Sequence, residues 1–121
     1  MKNNTRFHDT IVAMLAERLH ILQGRSLNRV TCMEFYHVIF NNLQDIFTNA
    51  EVQLSNETLN WLAQGYYDSI LINGRDTLDP TIFTQRAKFE NISTKELVLL
   101  TGLLKGSELV YEVVSEIKRR S

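Results

Sequence analysis

Three histidines, His8, His20 and His37, and one cysteine, Cys32, are the side chains of this 121-residue chain best suited to proton transfer or nucleophilic attack. Their spacing works against both. His8 and His20 stand twelve residues apart in one helical pattern, too far along its axis to share a metal ion. Cys32 and His37 are five apart, about 140° around a helix. Asp68, Asp76 and Asp79 do not follow the calcium-loop spacing, and Asp79 before Pro80 reads as a helix cap. No zinc, phosphate-loop or dinucleotide motif occurs. The expectation is a protein with no catalytic residue, no metal site and no cofactor.

The elements that position these residues read as helices throughout. Apolar residues recur at helical spacing, and no useful length of strand alternation occurs. The spacing predicts helices over about 5–23, 32–48, 56–72, 80–90, 94–104 and 107–119. Thr31 with Glu34, and Ser93 with Glu96, match the capping-box pattern at two helix starts. Gly24, Asn73-Gly74 and Gly106 supply stops and turns. In the second helix Cys32, Met33, Phe35, Tyr36, Ile39, Phe40, Leu43, Ile46 and Phe47 share a face about half the wheel wide, with Glu34, His37, Asn41, Gln44, Asp45 and Thr48 opposite. The fold class expected is all-α: a single-domain bundle of five to six helices ending in a C-terminal helical hairpin.

Composition narrows the function. Hydrophobic residues make up 44% and charged residues 22%, with a net charge of −1. Such a balance advertises neither a nucleic-acid-binding field nor a membrane-binding one. One cysteine excludes an internal disulfide and fits a reducing cytoplasm. Charged residues among the first 24 positions exclude a signal-peptide core and a membrane span there.

Four large side chains fall out of register with their helices: Arg18, Trp61, Ile72 and Tyr111. These are the candidate partner-binding residues, since interface anchors are often Trp, Tyr or Arg. The helix over 94–104 adds an anomaly. Leu97, Val98, Leu99, Leu100, Leu103 and Leu104 surround it on nearly every side, and a helix apolar all round is expected to be buried or covered.

Thr94-Lys95-Glu96-Leu97 followed by Thr101-Gly102-Leu103 resembles the first helix and turn of helix-turn-helix DNA-binding regulators. The resemblance covers residues 93–117, about a quarter of the chain. It implies a recognition helix after Gly106. The DNA contacts it implies are Lys105, Ser107, Tyr111, Ser115 and Arg119, with Glu108 and Glu112 on the same exposed face. Against that, Glu108, Glu112 and Glu116 would repel a polyanion. The turn is about one residue longer than in that family, and Val98 stands where a small residue is usual.

The function expected is therefore a small cytoplasmic, non-catalytic interaction module. It would act as a regulator, inhibitor, adaptor or assembly factor by binding another protein or itself as a homo-oligomer. Size and type also suit a phage-like protein. The alternative is a helix-turn-helix transcriptional regulator.

Overall fold

The computed structural model describes residues 7–22, 29–72 and 88–121. The described residues are helical and contain no strand. Five α-helices occur among them: α1 (Phe7–Leu22), α2 (Arg29–Asn49), α3 (Asn56–Ile72), α4 (Thr94–Leu103) and α5 (Leu109–Arg120). A 3-10 turn over Phe89–Asn91 precedes α4. One buried cluster draws on all five helices, from Ile11 of α1 to Val113 of α5. No described helix is long and apolar enough to cross a membrane.

In α2 the expected face is the observed one, except that Met33, Phe40 and Ile46 at its edges are only half-buried. Cys32, Phe35, Tyr36, Ile39, Leu43 and Phe47 are buried, and the six polar residues opposite are exposed. Its start differs from expectation. The helix begins at Arg29, which puts Thr31 on its third residue and buries it, so Thr31 is no N-cap. At the other end the N–H of Val52 donates to Phe47 O at 2.8 Å and the N–H of Glu51 to Thr48 O at 3.0 Å. This is the paired closing pattern of a helix C-terminus, and it sets Glu51 at φ 62°. Glycine is the usual occupant of that left-handed position.

α3 lies against α2 and is the central helix. From Trp61 to Tyr67 every residue is buried, so it has no polar face over that stretch. Its polar groups are satisfied internally, as burial requires. Asn60 Oδ1 accepts from the Tyr36 hydroxyl and, at 3.2 Å, from Gln64 Nε2. Burial pushes the Tyr36 phenol up to about 12, which keeps it a donor. Trp61 is only 1% exposed and packs on Phe89 with ring centroids 4.9 Å apart and planes tilted by 42°. It lies off the apolar stripe of α3 and is covered nonetheless, with Phe89 of the 3-10 turn against it.

The helix expected over about 80–90 falls mostly outside the described residues. Where it can be compared, the chain is not α-helical: Lys88 is extended, and residues 89–91 form the 3-10 turn. Arg18 and Ile72 lie in α1 and α3, and of these two only the backbone is described.

Ser93 caps α4 as its type and position predict, accepting from the Glu96 N–H at 3.2 Å. Glu96 does not turn back to Ser93 as a capping box would have it. It crosses instead to the start of α3. There its carboxylate accepts from the Ser55 N–H at 2.8 Å, the Ser55 hydroxyl at 3.0 Å and the Thr58 hydroxyl at 2.6 Å. Ser55 Oγ in turn accepts from the Thr58 N–H at 3.2 Å. One acid thus joins two helix starts. Burial would raise the Glu96 carboxyl, but the bonds from Thr58 and Ser55 outweigh it and hold it below the usual carboxylate range.

Candidate interaction surface

Inward-facing leucines decide how α4 and α5 sit. Leu97, Leu100, Leu103 and Leu104 of the first segment, and Leu109 and Val113 of the second, all enter the common core. Residues 104–108 make the turn between the helices. Gly106 has φ 96°, a conformation that only glycine adopts without strain. A Cβ there would come within 3.6 Å of His8 Cδ2. Ser107 Oγ accepts from the Leu109 N–H at 3.1 Å, which closes the start of α5.

This turn is tied to the rest of the fold through Tyr66. Its hydroxyl lies 2.9 Å from His8 Nδ1 and also hydrogen-bonds Ser107. The His8 and Tyr66 rings stack at 5.8 Å. Burial raises the Tyr66 phenol, and the Ser107 bond offsets part of that rise.

Both helices bury one side in the common core, and their other sides form the outer surface of each. On α4 that surface carries Val98, 55% exposed, and Leu99, 42% exposed, one turn from the exposed Gly102. On α5 it carries Tyr111, 71% exposed, with Glu108, Glu112 and Ser115. The expectation that the leucine-rich helix is covered on every side is therefore half corrected. Its Leu97–Leu100–Leu103 side is buried, and its Val98–Leu99 side meets solvent in this chain.

The C-terminal charges are arranged differently from the expected outward row. Glu116 is only 8% exposed and faces inward, so it does not join Glu108 and Glu112 against a polyanion. Arg119 binds it through two donors, Nε at 2.8 Å and Nη2 at 2.6 Å. Arg120 Nε adds a third bond at 2.9 Å. These bonds, first Arg119 and then Arg120, pull the Glu116 carboxyl down to about 2. Arg120 continues to Thr94 Oγ1 at 2.9 Å and to Phe89 O at 2.7 Å. The last turn of α5 is thus strapped to the segment that leads into α4.

The five residues implied by the helix-turn-helix resemblance are therefore not equivalent. Lys105, Tyr111 and Ser115 are exposed. Ser107 is buried and spent on capping α5, which removes it as a base contact. Arg119 is exposed but held on Glu116. Of the four candidate partner contacts, Tyr111 stands on the surface, and Trp61 is removed because a side chain 1% exposed has no area to offer. Arg18 and Ile72 have no described side chains to place.

The residues suited to chemistry are not brought together. Cys32 is fully buried in the core, His8 pairs with Tyr66, and His37 is exposed on α2 beside the Tyr36 ring. The side chain of His20 lies outside the described residues, as do Asp76 and Asp79. No group of three His, Cys, Asp or Glu side chains that would hold a metal occurs among the described residues. An open cleft of about 740 Å³ runs beside Phe47, Val52, Leu54, Leu59 and Glu96. It includes none of the histidines and not the cysteine.

Two of these features could have been read earlier. Glu96 at the third position of α4 was legible as a capping acid, but not as the cap of a helix forty-one residues away. Glu116 followed at three and four residues by arginines was legible as an ion-paired acid. Comparison with protein-family models, with curated proteins and with solved structures finds no match for this chain.

Proposed function

We propose that this chain is a non-catalytic, cytoplasmic interaction module that binds protein through the outer side of α4 and α5. One observation carries the reading. Among the described residues four large apolar side chains are exposed, and three of them, Val98, Leu99 and Tyr111, lie on this helix pair. Scattered exposed apolar residues are ordinary, whereas their concentration on two successive helices supports a contact surface there. Neither Val98 nor Leu99 belongs to the buried core formed by the described residues. A regulator, inhibitor, adaptor or assembly factor would use such a surface.

The test is affinity capture with the native chain and with Leu99→Glu, side by side. A partner held by the first and lost by the second, with both equally folded by circular dichroism, supports the reading. Equal capture by both removes it.

DNA binding through residues 93–117 is the second reading. The inward turn of Glu116 favours it, because one of three opposing carboxylates leaves the surface. Exposed Glu108 and Glu112, and the engagement of Ser107 and Arg119, weigh against it. A gel shift at low salt decides. Salt-sensitive binding weakened by Lys105→Ala would establish DNA readout, and no binding at low ionic strength would end it.

A further inference from the structure

We propose that the cleft between the end of α2 and the starts of α3 and α4 is a second binding site, one that takes a primary ammonium group carried on an apolar stem. The cleft shares none of its lining with the exposed Val98, Leu99 and Tyr111.

Two kinds of side chain line it. Phe47, Val52, Leu54 and Leu59 are apolar, and Phe47 and Leu59 belong to the buried core. Glu51 and Glu96 bring two carboxylates to the same space. Among the described residues no Lys, Arg or His lines it, and neither carboxylate is ion-paired. The stretch from Thr31 to Asn60, which builds most of the cleft, holds four acids and no Lys or Arg. The start of α3 offsets part of the Glu96 charge. Glu51 has no such neighbour among the described residues. An apolar space with negative charge to spare is complementary to a cation that carries an apolar body.

Glu96 is the fixed point of the site. Its Oε1 accepts from the hydroxyls of Ser55 and Thr58, at 3.0 Å and 2.6 Å, and its Oε2 accepts from the Ser55 N–H at 2.8 Å. Three donors hold the group in one orientation. Burial would raise this carboxyl, but the bonds from Thr58 and Ser55 outweigh it and keep it an anion at neutral pH. A carboxylate offers about four acceptor positions. The one left over is on Oε2. An ammonium N–H there makes a charge-assisted bond, stronger than one from a neutral hydroxyl. Glu96 is half-buried, so that bond forms partly out of water. The stem of the ligand then lies along Phe47, Val52 and Leu54. At about 740 Å³ the cleft has the size of a small-molecule site, and fixed polar groups on apolar lining are the usual make-up of one.

Amide chemical-shift titration of the full chain with n-hexylamine at neutral pH tests this. Hexanol and hexanoate keep the stem and replace the cation by a neutral and an anionic head. N-acetyl-lysine methylamide presents the same ammonium as a protein would. Hexylammonium should saturate with a dissociation constant on the order of 1 mM, as suits so small a probe, with shifts concentrated over residues 51–55. Hexanol and hexanoate should bind at least about tenfold more weakly. Glu96→Gln, which keeps an acceptor for Ser55 and Thr58, should weaken hexylammonium by about tenfold. Glu51→Gln changes an exposed side chain and leaves the fold alone, so it carries the test should Glu96→Gln prove unstable. It should weaken binding by about threefold. Tighter binding of the lysine derivative assigns the ammonium to a protein partner, and tighter binding of hexylamine assigns it to a free amine. No saturation, equal binding of hexylamine and hexanol, or unchanged affinity in the folded variants overturns the site.

Discussion

The carboxylate of Glu96, at the start of α4, accepts a hydrogen bond of 2.8 Å from the backbone N–H of Ser55, at the start of α3. An acid of one helix thereby caps another, and the Thr58 hydroxyl completes the arrangement at 2.6 Å. Removing the acid strands these two donors and the Ser55 hydroxyl. Glu96→Ala should lower unfolding free energy by about 1–3 kcal/mol in urea titration. Glu96→Gln, which keeps an acceptor, should cost less. Equal stability of wild type and alanine variant would show that water replaces the carboxylate at no cost.

Acid should loosen the fold at two places at once. Glu96 and Glu116 both titrate below their ordinary value of 4.5, Glu116 at about 2. A depressed carboxyl contributes stability that is fully present above the unfolded value and is lost as pH falls toward the folded one. Thermal midpoints should therefore decline from about pH 4.5 downward. In Glu116→Gln the decline should be shallower, and in the double variant with Glu96→Gln shallower still. Parallel curves for all three proteins would assign the acid sensitivity elsewhere.

Trp61 is the only tryptophan in the chain, which makes its burial directly measurable. Its emission should be blue-shifted and resistant to iodide quenching in the native state, with a red shift on unfolding. Trp61→Ala should cost about 3–5 kcal/mol, as for other large core side chains cut to alanine. Free quenching of the native protein would restore Trp61 to the surface.

Glu51 occupies a backbone conformation that favours glycine, at the closing turn of α2. Glu51→Gly should stabilise the protein by up to about 1 kcal/mol, since the left-handed strain of a side-chain-bearing residue is relieved. Gly106→Ala, at φ 96°, should act in the opposite direction by about 1–2 kcal/mol. Chemical denaturation of the two variants in parallel gives the comparison of signs.

Surface and core predict different phenotypes within α4. Leu99→Glu should change stability by no more than about 0.5 kcal/mol, because it alters an exposed position. Leu100→Ala, one residue on, should cost about 2–5 kcal/mol from the fully buried side. Only the first should affect association at undiminished stability, measured by light scattering and thermal denaturation on the same samples.

The sequence by itself determined the helices and most of their faces. Local rules suffice there. Periodicity set the buried side of α2 apart from its half-buried edges at Met33, Phe40 and Ile46, and Ser93 announced the start of α4. It also left the C-terminal anomaly visible: more apolar residues around α4 than one core-facing side needs. Tertiary structure alone decided what each irregular residue does. Trp61 stood off the apolar stripe of its own wheel, and packing from elsewhere, Phe89 included, buries it. Glu96 looked like a local cap until Ser55 came within reach, and Glu116 looked solvent-facing until α5 turned it inward. A helical wheel records angles within one element. Burial depends on which neighbours close over that angle, and those neighbours are set by contacts between residues far apart in the chain.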